Sequence, residues 1–276
     1  MQYAFVNNAQ HAQTALNISA KTWFVLALVG QLAFAIYIGF RYGLALASGQ
    51  PENMNLSMHI TGYVEDDFAG NMMLYFHIAG AAILSTSGIL QLVPSLRQRY
   101  PIFHRLNGRL FMIMGLAGAL TGLYLTWLRG TRLDDLGAMG ISINGVLIIV
   151  AIYLAWRYAI ERKYAQHQRW AIHSFFLVNA VWTLRLFVMA WYMTTGGAGM
   201  TNTMDGPADF AISFGCYLLP MALAELYFWA KRQGRAKRKW AVFCTMTLGC
   251  LVTAIGVGGA LAFMWFPRII TAINAL

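Results

Sequence analysis

The chain has 276 residues, 59% of them apolar and 11% charged, with a mean hydropathy of +0.54. A soluble domain is about 25% charged, so this composition excludes an ordinary soluble globule, a disordered chain and, with three cysteines, a disulfide scaffold. The net charge of +10 sits in short clusters between apolar runs, which points to membrane topology and away from a nucleic-acid partner.

About 20 apolar residues cross a bilayer as a helix. Seven runs reach that scale. A short cytoplasmic segment over residues 1–20 precedes span one, at 22–40. The sequence Ala45-Leu46-Ala47-Ser48 resembles a signal-peptidase site, but the apolar run before it is longer than a signal core, so span one is read as a retained helix. Span two covers 70–96, with His77 its only ionisable residue before the arginines. Spans three and four cover 110–128 and 136–156. Span five covers 170–195 and contains Arg185. Span six covers 210–230 and contains Pro220, which predicts a kink, and Glu225. Span seven covers 240–267. The runs are too long for barrel strands and do not alternate. The expected fold is therefore all-α: one transmembrane domain over 1–276, a polytopic bundle of seven spans.

The loops set the orientation. The segments after spans two, four and six, with Lys21, hold 15 of the 20 basic residues. Glu52, Glu65, Asp66, Asp67, Asp134, Asp135, Asp205 and Asp209 fall on the other side. Basic loops face the cytoplasm, so the N-terminus is expected inside and the C-terminus outside. Trp23, Trp127, Trp156, Trp170, Trp191, Trp229, Trp240 and Trp265 lie near span ends, the depth where indoles concentrate. Trp182 lies well inside span five.

On span two, His77, Gly80, Ala81, Gly88, Gln91 and Ser95 share one helical face. On span three, Gly108, Gly115 and Gly122 repeat every seventh residue. Small residues let helices approach closely, and glycine also lets a flat macrocycle lie on the backbone. The pattern admits both packing and cofactor binding. At 1.5 Å per residue, His77 and Arg185 lie at similar depth in the outer half. His173 and Glu225 lie near the inner surface, with His104, His167, Arg105 and Arg109 at the inner interface.

Ionisable groups within a bilayer are costly and mark function or pairing. Arg185 has no acid at its depth within a span. It is expected to meet His77 across spans two and five, with Gln91 continuing the His77 face inward, and the pair to bracket a bound anion or an acid folded in from Glu65, Asp66 or Asp67. Histidines on facing helices at one depth hold haem b in membrane bundles. Any two of His104, His167 and His173 could ligate one inner haem, with Arg105 and Arg109 on its propionates and Gly108 beside it. His11 and His59 are expected outside the spans. Cys216, Cys244 and Cys250 lack zinc spacing. Outer methionines and Met58-His59 admit copper handling, though methionine also simply fills gaps.

Taken together, Phe76-His77, Gly88, Gln91, Leu96-Arg97, the His104-Arg105-Leu106-Asn107-Gly108-Arg109 segment, His167-Gln168-Arg169-Trp170 and Arg185 resemble a bacterial family grouped as domain of unknown function 2306. The resemblance covers about residues 70–195, four helices, and leaves span one and the two helices of 196–276 outside. It implies a multi-pass inner-membrane protein without an established activity. It marks His77, Gln91, Arg97, His104, Arg105, Gly108, Arg109, His167 and Arg185 as site residues. The functional expectation is a haem b redox protein, alone or with other membrane subunits, exchanging electrons with a quinone pool. The alternative is a transporter or binding module for a small anion or lipid headgroup.

Overall fold

The computed structural model describes residues 2–55, 62–132 and 135–275, with side chains from residue 8 onward. Among them every regular element is helical. In hydrocarbon no water can satisfy the backbone, and a helix closes its own hydrogen bonds.

Helix α1 (Gln2–Ile38) runs through a π-helical turn at Gly39–Gly43 into α2 (Leu44–Ala47). The segment expected ahead of span one is thus part of the same helix, and His11 lies exposed on it. A 3₁₀ turn at Pro51–Asn55 precedes α3 (Phe68–Gln91). Span two was expected to reach residue 96, but Pro94 starts a separate short helix, α4 (Pro94–Arg99), because proline cannot continue α3. Next come α5 (Pro101–Leu123), prolonged by a π turn at Tyr124–Leu128, and α6 (Asp135–Ile160). Helices α7 (Tyr164–Val178), α8 (Ala180–Thr195) and α9 (Pro207–Arg232) follow. The last are α10 (Ala236–Gly259) and, past a π turn at Ala260–Trp265, α11 (Phe266–Asn274).

Six segments are single helices long and apolar enough to cross a membrane. The pair α7–α8, bent by 60°, makes a seventh crossing when counted as one span. Span five was expected as one crossing, its apolar run broken only by Arg185. Its break at Asn179 involves neither proline nor glycine. The Asn179 amide donates to the Phe175 carbonyl (2.9 Å) and Thr183 Oγ1 to the Asn179 carbonyl (3.3 Å). From α6, Asn144 Nδ2 donates to the Leu177 carbonyl (3.1 Å). Side-chain bonds of this kind compete with the helical ladder. Pro220, by contrast, sits inside an uninterrupted α9.

Helix α3 packs mainly on α5 and α1, α10 on α1 and α8, and α6 on α7 and α5. The α3–α5 contact realises both sequence stripes at once. The interval from His77 to Gln91 equals that from Gly108 to Gly122. A Cβ on Gly122 would lie 3.3 Å from the His77 ring, and one on Gly108 3.3 Å from Gln91 Oε1. Gly88 likewise admits Phe111, at 2.8 Å. Gly108 and Gly122 of α5 are thus met by Gln91 and His77 of α3 in one antiparallel register, whereas Gly115 faces Ile152 of α6 and Val178 of α7.

An aromatic core joins α1, α8 and the last π turn. Trp182 is buried against Gly30, where a Cβ would come within 2.7 Å of its ring. Trp265, expected at the headgroup level, is buried beside Phe34 and Tyr37, with ring centroids 5.6 and 6.3 Å away. Large apolar side chains such as Ile113, Leu120, Val146, Leu248 and Phe263 cover the outside. Such a surface suits lipid and would aggregate in water.

Candidate functional site at the basic end of the bundle

The chain reverses at each crossing, so the basic loops collect at one end and most acids at the other. At the basic end, Pro101 occupies the first turn of α5 and starts the helix. Gln91 Nε2, in the gap left by Gly108, donates to the His104 carbonyl (3.1 Å). Asn107 Nδ2 donates to the Ser87 carbonyl (2.9 Å). These two bonds pin the start of α5 to the end of α3. They fix His104, whose Nδ1 is buried without a hydrogen-bond partner.

His167 comes from the first turns of α7. Its Nδ1 lies 2.8 Å from the Ala155 carbonyl of α6. A carbonyl only accepts, so this assigns the proton to Nδ1 and the lone pair to Nε2. Arg97 and His167 each lie within electrostatic reach of His104. Arg97, Arg105 and Arg109 are exposed. No ion pair to them is found among the described residues.

His173 takes a different partner. Its Nε2 lies 2.6 Å from Glu225 Oε1 of α9, and the same oxygen accepts Arg169 Nε at 2.6 Å. Trp170 packs edge-on to the imidazole with centroids 5.6 Å apart. The three inner histidines thus separate into a neighbouring pair, His104 and His167, and a third tied to a carboxylate. Among the described residues no group of three or more metal-binding side chains forms. Sequence reasoning placed His173 and Glu225 at one depth without pairing them. Their matched depth and opposite charge were the available signal. Arg169 was counted only as a loop cation.

The expected outer site is not assembled. His77 Nδ1 lies 2.9 Å from Thr121 Oγ1 of α5, whose own proton goes to the Ala117 carbonyl (2.8 Å), so the histidine donates. Gln91 serves His104 instead. Arg185 donates to the Val181 carbonyl (3.0 Å) and lies 5.2 Å over the Phe34 ring of α1. The physical reason is the helix order: α3 packs on α5 and α1, whereas α8 packs on α10 and α9.

The acid expected to fold toward Arg185 pairs elsewhere. Asp67 Oδ2 accepts Arg129 Nε (2.8 Å), and Oδ1 accepts the Gly70 N–H, capping α3. The Arg129 guanidinium, and then the Gly70 amide, hold the Asp67 carboxyl below its usual range. Arg129 Nη2 donates to Asn71 Oδ1 (2.7 Å), and Asn71 Nδ2 to the Val64 carbonyl (2.6 Å). Arg41 is buried and donates to the carbonyls of Asn53 (2.8 Å) and Met54 (3.0 Å). Asp209 Oδ2 accepts the Thr201 and Gly206 amides (3.0 and 3.2 Å), closing the loop before α9. Met58, His59 and Asp134 lie outside the described residues. Cys216, Cys244 and Cys250 are free thiols.

No curated protein and no solved structure matches this chain. A family model described as a predicted membrane protein, domain of unknown function 2306, matches residues 74–228. The match runs past the expected limit at 195 and takes in span six, hence Glu225. It covers more than half of the 276 residues, and the chain therefore belongs to the membrane-protein family of domain of unknown function 2306.

Proposed function

We propose that this integral membrane protein is a redox protein of the bacterial inner membrane, holding one haem b at its basic end through His104 and His167 and exchanging electrons with a quinol. The supporting observation is the state of those two imidazoles. A metal-bound histidine commonly gives one ring nitrogen to the metal and donates the other to a carbonyl or carboxylate. His167 has its Nδ1 on the Ala155 carbonyl and its Nε2 free of any protein partner. His104 carries a buried, unpartnered Nδ1 and is neighbour to His167. His173 suits this role less, since Glu225 occupies its Nε2.

The remaining residues have supporting parts. Gly108 admits Gln91, whose amide positions the His104 backbone. Arg105 and Arg109, exposed and without acids, would neutralise propionates. Haem, when bound, supplies one-electron transfer at a potential set by its ligands and surroundings. By the positive-inside rule this end faces the cytoplasm, with the N-terminus inside and the C-terminus outside.

The visible spectrum of protein purified from haem-replete cells tests the reading. A Soret band that persists in His77→Ala and is lost in His104→Ala and His167→Ala is the expected result. A colourless, folded protein overturns it. The unpaired arginines and the broken span five favour a second reading, a binding or transport site for a small anion or lipid headgroup, since broken spans often carry such sites. Thermal stabilisation by phosphate or by anionic lipid, with no visible absorbance, would select that reading.

A further inference from the structure

The contact between α7 and α9 joins three ionisable side chains in a line from water to the interior. Side-chain exposure falls from 50% at Arg169 to 32% at Glu225 and 5% at His173. Both bonds converge on one oxygen, Glu225 Oε1. The second carboxylate oxygen takes no protein partner among the described residues and is not among the buried unsatisfied atoms, so it is exposed at the protein surface. At the other end of the line, His173 Nδ1 is fully buried and has no partner. One turn further along α7 lies the Leu177 carbonyl, which Asn144 bonds at the helix break.

A tie between two helices needs neither of the two loose ends. A carboxylate and an imidazole sharing one hydrogen bond, each with a second site facing a different medium, suit proton exchange. We propose that Glu225 and His173, held by Arg169, form a proton-binding pair that exchanges protons between water at the basic end and the interior of the bundle.

The step balances within the pair. Hydronium protonates the open Glu225 oxygen, and a half-turn of the carboxyl group brings that O–H to face His173 Nε2, with Arg169 then bonding the other oxygen. With His173 as its Nδ1–H tautomer, the carboxyl O–H bond breaks as the Nε2–H bond forms. The product is an imidazolium against a carboxylate, one proton and one positive charge richer than before. The same bonds reverse on release to water.

Glu225 from α9 and Arg169 from α7 itself are the charged groups bonded to this pair. On the neighbouring end of α6, Arg157 and Lys163 are both paired with Glu161. No charged side chain of α5 or α8 forms a hydrogen bond or ion pair with His173 among the described residues. Among the described residues, Arg169 is therefore the cation bonded to the pair. Nothing in this inference requires haem.

The test is nitrogen-15 NMR of histidine-labelled full-length protein in nanodiscs between pH 5 and 8, with His173→Gln used for assignment. In the wild type, His173 should titrate reversibly and exchange its N–H with water. In Glu225→Gln its proton affinity should fall about tenfold or more, because the carboxylate no longer favours the imidazolium. Glu225→Asp should keep the titration. If Glu225→Gln does not fold, Arg169→Gln serves, since that side chain is half exposed. There the proton affinity of His173 should rise with the competing cation gone. An imidazole locked in one state across this range, or one whose affinity is unchanged in these variants, overturns the proposal. A colourless protein with a titrating His173 would dismiss the haem reading alone.

Discussion

The two ends of the bundle use the same residue types in opposite ways. At the acidic end, buried cations meet oxygen atoms: Arg129 is clasped by Asp67 and Asn71, and Arg41 by two backbone carbonyls. One guanidinium nitrogen of Arg129 remains unpartnered there. At the basic end, Arg97, Arg105 and Arg109 stand exposed without acids, and ring nitrogens of His104 and His173 are buried without partners. Polar groups that partner each other make structure. Polar groups left open are available to a ligand or a proton. Depth alone does not separate the two cases. What separates them is whether a loop folds back over the helix ends, as 48–55 and 62–67 do at the acidic end.

Removing Asp67 should break this contrast most severely. Asp67→Ala strands the Arg129 guanidinium, whose side chain is 5% exposed. A stranded buried charge is among the costliest single changes. The thermal midpoint should fall by roughly 5–10 °C, whereas Arg109→Ala should move it little. Equal effects at the two ends would erase the distinction. Acid should act on the same bond. The Asp67 carboxyl titrates below its usual range in the folded protein, so its contribution is present above about pH 4 and is lost as pH falls further. Melting curves recorded between pH 5 and 3 should drop more for the wild type than for Asp67→Asn.

A smaller effect is expected at His77. Thr121→Val removes the hydroxyl that accepts from its ring and should cost about 1 kcal/mol, measured by denaturation in mixed micelles. A loss of function without loss of stability would instead give His77 the open character of the basic end. The smallest effect belongs to Glu161, bonded to Arg157 and Lys163 on the surface. Both cations hold its carboxyl below the usual range, yet Glu161→Gln should leave the thermal midpoint almost unchanged, because water already screens such pairs.

Much of the fold was legible in the sequence because bilayer thickness and helical rise leave few choices for long apolar runs. The helix class, the seven crossings and the existence of the two stripes follow from spacing alone, but that the stripe of span two meets span three and not span five does not. Partner choice did not follow. His77 and Arg185 share a depth, but the order of helices around the bundle sends one to α5 and the other to α1. That order depends on side-chain shapes such as Trp182 entering the gap at Gly30. The break in span five was also hidden, since Asn179 and Asn144 act only when brought together. At the basic end, the histidines and arginines were legible as residue types. The division into a free pair and a carboxylate-bound third was not.

The bend at Asn179 has a mechanical consequence. Its lower arm, α7, lies on α6, while its upper arm, α8, lies on α10. One crossing is thus a jointed strut shared by two groups of helices, and the joint is closed by side-chain amides instead of a proline ring. Hydrogen bonds from side-chain amides can be remade with other partners, whereas the N–H that a proline lacks is missing for good. The two arms of the strut carry different polar groups, His167 and His173 on α7 and Arg185 on α8.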